Sequence, residues 1–174
     1  MRPSVFLVTI LAITPALVRA DVFSVEDDTM TALPKQVAEA IYNTEGKKLA
    51  DFRQPKNGLC KLIGMRVDLV LGTKSAYFTT TGNACNWGAA IGPIWLVLAD
   101  PQPVVVISDG GQALSLEKQM QNGLPNIIIT AAAASWSQKS WWKYDGTKYV
   151  KSKEELCSAP PEEGSSLQCK TSNK

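Results

Sequence analysis

Ile94-Trp95-Leu96-Val97-Leu98-Ala99, then Asp100-Pro101-Gln102-Pro103, then Val104-Val105-Val106-Ile107-Ser108 and Asp109-Gly110-Gly111: two short apolar, β-branched runs with turn residues between and after them. Runs of this length bounded by Gly, Pro and Asp read as strands rather than helices. The same grammar extends in both directions. Upstream, Leu62 to Leu71 contains alternating Val67, Leu69 and Leu71, and Ala76 to Thr81 follows Gly72. Downstream, Gln112 to Leu116 alternates weakly, Asn122-Gly123-Leu124-Pro125 makes a turn, and Asn126 to Ala131 is apolar. Trp141 to Tyr144 and Lys148 to Val150 flank Asp145-Gly146, a strong cue for a tight hairpin. No helical run long enough for a crossover lies between Lys61 and Val150. The expectation is an all-β, antiparallel meander, propeller-like or barrel-like, with one N-terminal helix. An α+β domain is the alternative, because Leu114 to Asn122 also fits a short helix.

The helix is expected from about Pro34 to Asn43, with a loose turn from Lys48 to Phe52. Pro34 suits the first helical position, Val37, Ala40 and Ile41 share one face, and Gly46 suits the stop. Asp21 to Met30 reads as acidic and irregular. From Lys151 to Lys174 the chain is polar, holds Pro160-Pro161, and reads as a tail clipped by its two cysteines.

The first twenty residues read differently. Met1-Arg2-Pro3 precedes an apolar run from Val5 to Val18, and Val18-Arg19-Ala20 offers small residues around a cleavage point before Asp21. This is the pattern of a secretory leader, 1–20, removed after Ala20. The run is short for a membrane span, which needs about 20 apolar residues. The expected organisation is therefore a leader, a single β-rich domain over 21–150 and the tail over 151–174, with no membrane span after cleavage. The product is expected in the periplasm or outside the cell.

Export changes the charge and the cysteine chemistry. The chain has 18 Lys+Arg and 16 Asp+Glu; loss of Arg2 and Arg19 with the leader leaves basic and acidic residues equal. A neutral domain lacks the basic footprint of nucleic-acid binding. Cys60, Cys85, Cys157 and Cys169 all lie beyond the leader, and an even number in an oxidising compartment points to two disulfides. Three pairings are possible; nearness favours Cys60 with Cys85 and Cys157 with Cys169. No C-x-x-C spacing and no histidine occur, which argues against zinc.

Histidine's absence also removes the Ser-His-Asp and Cys-His arrangements. Oxidised cysteines are not nucleophiles. Asp100, Asp109 and Asp145 sit among turn residues, where Asp is favoured for local hydrogen bonds. Asp109-Gly110-Gly111-Gln112 lacks the ending of a phosphate loop. The expectation is a protein with no catalytic residues, no metal and no cofactor.

Tryptophan is the unusual element, at positions 87, 95, 136, 141 and 142. Trp95 lies in an apolar run and is assigned to the core. Trp141 and Trp142 are adjacent, so in a strand they face opposite ways. Trp87 and Trp136 have loop-like neighbours. Exposed aromatics make good contact anchors; the competing role is to plug the ends of a small β core. The candidate binding residues are Asn83, Asn86, Trp87, Trp136, Ser137 and Trp141.

Gly82-Asn83-Ala84-Cys85-Asn86-Trp87, Gly92-Pro93-Ile94-Trp95-Leu96-Val97, Asn122-Gly123-Leu124-Pro125-Asn126-Ile127-Ile128-Ile129 and Trp142-Lys143-Tyr144-Asp145-Gly146-Thr147-Lys148-Tyr149 together resemble small exported bacterial β proteins of propeller-like type. That set includes periplasmic immunity proteins, inhibitors of peptidoglycan hydrolases. The resemblance covers about Lys61 to Val150. It implies a propeller-like fold and a protein partner in the cell envelope, a peptidoglycan hydrolase. Related sequences often carry Asp where this chain has Asn126, which argues against carrying over a metal site. Two other functions fit the residues: a carbohydrate- or peptidoglycan-binding module, with aromatic faces on sugars, and a structural subunit of an envelope assembly.

Overall fold

A computed structural model describes residues 21–46, 53–54, 58–70, 73–85, 87–88, 91–158 and 168–173. The expected leader, the expected turn from Lys48 to Phe52, and Asn86 lie outside these residues. The strands are β1 (Val22–Ser24), β2 (Thr31–Ala32), β3 (Arg53–Gln54), β4 (Gly58–Leu59), β5 (Leu62–Val70), β6 (Lys74–Thr81), β7 (Gly92–Leu98), β8 (Val104–Gly111), β9 (Ala113–Gln121), β10 (Leu124–Ala133), β11 (Trp136–Tyr144), β12 (Tyr149–Ser158) and β13 (Gln168–Asn173). Among the described residues there is one α-helix, α1 (Lys35–Glu45).

Two meanders follow one another. β5 to β8 form one antiparallel sheet, with β2 added beside β5. β9 to β13 form the other, with β1 added beside β9. β3 and β4 make a separate two-stranded ribbon. The all-β reading with one helix is correct, and the architecture is two open sheets rather than a closed barrel. The α+β alternative fails where it rested on a helix from Leu114, because that stretch is β9. Leu114 and Leu116 are buried, and Ser115 and Glu117 between them are less so; this is a period of two, not 3.6.

Inward residues of both sheets make one core. Val67, Phe78, Ile94 and Leu96 from the five-stranded sheet pack with Leu114, Ile127, Ile129 and Tyr149 from the six-stranded one. A second cluster lies on the outer face of the five-stranded sheet, where Val37 and Ile41 of α1 meet Leu62, Trp95 and Val97. Burying each such aliphatic side chain is worth about 1.5–3 kcal/mol. Glu45 at the helix end fastens the contact: its carboxylate accepts hydrogen bonds from Trp95 Nε1 at 2.9 Å and from the Ser108 hydroxyl. The helix runs within two residues of the expected bounds, with Pro34 before it and Gly46 (φ 53°) after it.

Both disulfides expected from nearness form, Cys60–Cys85 and Cys157–Cys169. The region expected to be a polar tail is clipped as anticipated, but it is sheet: β12 continues to Ser158 and β13 pairs along it. Asp21 to Met30 was expected to be irregular, yet Val22–Ser24 pairs with β9.

Candidate functional site

The outer faces of the two sheets differ. The helix lies on the outer face of the five-stranded sheet, while neither hydrophobic cluster of the described residues lies on the outer face of the six-stranded sheet. Side chains reach that face by alternation: Ile127 and Ile129 of β10 point into the core, so Ile128 and Thr130 point out. Ladder register then extends the face across five strands. Ile128 is opposite Ser115 and Trp141, Trp141 is opposite Lys153, and Lys153 is opposite Asn173. Beside this row lie Thr130, Lys139, Glu155 and Thr171, paired in sequence. Further along, Ser137 is opposite Cys157, and Cys157 opposite its disulfide partner Cys169.

Trp141 is the centre of this surface. Lys153 Nζ lies 4.2 Å and Lys139 Nζ 5.0 Å from its ring centroid, both within cation–π range. The ring borders a groove of about 360 Å³ that Glu117, Gln119, Asn126, Lys143 and Lys153 also line. Asn126 is 3% exposed. Its Nδ2 donates to Gln119 Oε1 at 3.1 Å, and its Oδ1 is buried without a partner among the described residues. The local ladder explains its placement, because the register between β9 and β10 shifts between Pro125 and Ile127, and such irregularities re-aim side chains.

The adjacent tryptophans face opposite ways by alternation along β11, and the ladder beside them is irregular. Trp141 is opposite Lys153 and Trp142 opposite Lys151, leaving Ser152 as the extra residue. Ser152 Oγ donates to the Trp141 carbonyl at 3.2 Å. Trp142 packs against the main core, and beneath it is a polar knot. Lys151 Nζ lies 2.8 Å from Glu154 Oε1, 3.3 Å from Asp109 Oδ2 and 5.1 Å from the Trp142 ring centroid. Gln138 and Ser140 also donate to Glu154. The Lys151 hydrogen bond is the chief cause holding the Glu154 carboxyl below its ordinary 4.5. Burial alone would push Lys151 down, but the hydrogen bond to Glu154 and the charge of Asp109 hold it above 10.5. This knot ties β8 of one sheet to β12 of the other, under the groove.

The six candidate residues do not form one surface. Ser137 and Trp141 share the open face. Trp136 adjoins Ser137 on β11 and so points the opposite way. Trp87 is a core plug: its Nε1 donates to Thr81 Oγ1 at 2.9 Å, and its ring packs against the main core above Gly92, where an added Cβ would come within 2.8 Å of it. Asn83 is exposed on a turn stapled by Cys60–Cys85, and Asn83 and Ala84 both have positive φ, 55° and 50°. Sequence reasoning missed Gln119 and Lys153 as groove residues and did not count Asn126 among the binding residues. Nothing in the linear order sets them beside Trp141; only the pairing does.

A larger recess of about 480 Å³ lies at the end of the β5–β6 hairpin, lined by Arg66, Asp68, Lys74, Ser75 and Asp100. Three of its polar groups are joined in a chain: Arg66 Nη2 donates to Ser75 Oγ at 3.2 Å, and Ser75 Oγ to Asp100 Oδ2 at 3.5 Å. Among the described residues, no cluster of three or more His, Cys, Asp or Glu is placed to hold a metal ion. No described helix is long and apolar enough to cross a membrane. Comparison with family models, with curated proteins and with solved structures found no match to this chain.

Proposed function

We propose that this chain is an exported binding protein of the bacterial cell envelope, periplasmic or secreted, that takes a cell-wall glycan on the open face of its six-stranded sheet. One observation carries the reading: Trp141 borders a groove beside the buried Asn126, whose amide oxygen has no hydrogen-bond partner among the described residues, on the face of the six-stranded sheet turned away from the core. An indole offers a flat apolar surface with little entropy to lose on contact, and a few fixed polar groups then orient the ligand. Two disulfides fit an oxidising compartment. Cys157–Cys169 also braces β12 against β13 on the same face, which lowers the ordering cost of binding. With no histidine in the sequence and the four cysteines oxidised, the protein is read as acting by contact rather than by bond breaking. Cosedimentation with purified peptidoglycan tests this: the protein should pellet with the wall, and failure to do so at low salt would count against it.

The second reading, inhibition of a peptidoglycan hydrolase, is favoured by a different feature. The exposed Asn83-Ala84 turn holds two non-glycine residues at positive φ and is stapled by a disulfide. Such conformations cost about 1–3 kcal/mol each and concentrate at functional sites. A rigid turn of this kind suits entry into an enzyme cleft. A lysis assay against a panel of peptidoglycan hydrolases separates the readings. Wall retention without inhibition supports the first, and inhibition without retention supports the second.

A further inference from the structure

We propose that the Trp141 groove selects an acidic saccharide, a sugar carrying a carboxylate together with a hydroxyl or acetamido N–H donor. This rests on the reading that the open sheet face binds glycan, and it names the chemistry of the ligand.

The donor requirement comes from Asn126. Its amide is 3% exposed and lines the groove; Nδ2 is committed to Gln119, and Oδ1 has no partner among the described residues. A buried acceptor left unpaired is costly, and such groups are rare in folded proteins. A ligand N–H or O–H placed in the groove removes that cost. A ligand with acceptors only does not.

The carboxylate requirement comes from the lysines. Lys139 and Lys153 sit over the Trp141 ring, and Lys143 lines the groove. Among the described residues none of the three makes a salt bridge. Their cross-strand neighbours are Glu155 for Lys139, Trp141 for Lys153 and Val150 for Lys143. Two cations therefore face the groove with no acid opposite, on a protein whose overall charge is close to neutral. The acid that does line it, Glu117, belongs to β9, on the far side of β10 from these lysines. An anionic group that draws the Lys153 ammonium off the indole face toward Lys143 frees the ring for the sugar and leaves the sugar's donor on Asn126, so all three features are satisfied together. A neutral sugar gives the lysines no anion, and a bare anion leaves the indole and the amide without a partner.

The probes are N-acetylmuramic acid and N-acetylglucosamine, which differ by one lactyl carboxylate, with inorganic phosphate as the bare anion. Each is titrated into the isotope-labelled, oxidised protein, and amide and indole resonances are followed by NMR. N-acetylmuramic acid should shift the Asn126 side-chain amide and the Trp141 indole N–H. It should bind about tenfold or more tighter than N-acetylglucosamine, the gain expected of one charge-assisted hydrogen bond. Lys153→Gln, a solvent-reachable change, should erase most of that preference, and Trp141→Ala should weaken both sugars. Added salt should narrow the gap. Equal affinity for the two sugars, equal response to phosphate, shifts confined to other surfaces, or no shift at all would overturn the proposal. If peptidoglycan retains the protein while the sugars are not distinguished, only the acidic selectivity fails. If peptidoglycan does not retain it and neither sugar binds, the glycan reading fails with it.

Discussion

Gly64 sits where β5 passes under the helix-side cluster, and no side chain fits there. A Cβ at this position would lie 2.5 Å from the Phe78 carbonyl oxygen, 2.8 Å from Leu33 Cδ2 and 2.9 Å from Thr79 Cγ2. The first of these is backbone within a paired strand and cannot yield cheaply. Gly64→Ala should therefore destabilise the protein by about 1–3 kcal/mol, read as a lowered urea midpoint with an unchanged slope. The polar knot at Lys151 makes a second prediction at this scale. Glu154 is held below 4.5, so its share of stability is present at neutral pH and is lost as pH falls through the lowered value. Lys151 is held above 10.5, so its share is complete below that pH and is lost as pH rises through the raised value. Lys151→Met should cost about 1 kcal/mol at pH 7 and flatten both limbs of a stability-versus-pH curve measured by urea unfolding. Undiminished acid and alkaline limbs in that variant would contradict the assignment. Among single residues, alternation was enough to separate Trp141 from Trp142, and the apolar run around Trp95 was enough to place it in the core. For Trp87 the sequence left two roles open, contact anchor or core plug, and the slot over Gly92 that decides for the plug is made only by the fold.

Cys157–Cys169 ties the edge strand β13 to β12, and Cys60–Cys85 ties the turn after β6 to the segment just before β5. Cys60–Cys85 closes a separation of 25 residues and Cys157–Cys169 one of 12. Chain-entropy arguments give about 3.5 and about 3 kcal/mol for loops of these lengths. β13 is exposed along its whole length and pairs only with β12. Replacing Cys157 and Cys169 together by Ser should then free β13 locally before it unfolds the rest. Hydrogen exchange should quicken at the β12–β13 ladder while β5 to β7 stay protected. Uniform loss of protection across both sheets would be the contrary result. At the helix, Glu45→Ala removes the acceptor shared by Trp95 and Ser108 and should cost about 1–3 kcal/mol, with exchange quickened in α1 rather than in the six-stranded sheet. Elements with strong local signals were the readable ones: α1 between Pro34 and Gly46, and the hairpin at Asp145-Gly146, where Asp145 Oδ1 accepts from the Thr147 and Lys148 amides. β13 was not readable, because Gln168-Cys169-Lys170-Thr171-Ser172-Asn173 carries no apolar alternation and gains its strand from the disulfide and the neighbouring ladder.

Across the whole molecule, the decisive asymmetry is that one sheet has a helix on its outer face and the other has a groove. The all-β class followed from strand spacing, but the binding face did not. Ser115, Ile128, Trp141, Lys153 and Asn173 come from five strands spread over 59 sequence positions, and only the register of four ladders brings them into one row. Sequence reasoning found Trp141 and Ser137 by residue type and joined them to Asn83 and Trp87, which the fold places elsewhere. A contact protein of this design should lose its ligand without losing its fold when the open face is altered, since Trp141 is not part of either core cluster. The most direct measurement is cosedimentation of purified peptidoglycan with the oxidised protein and with Trp141→Ala, each checked for an unchanged thermal transition. The account predicts that the parent protein pellets with the wall and the variant stays in solution. Equal pelleting of the two folded proteins, or none by either, would contradict it.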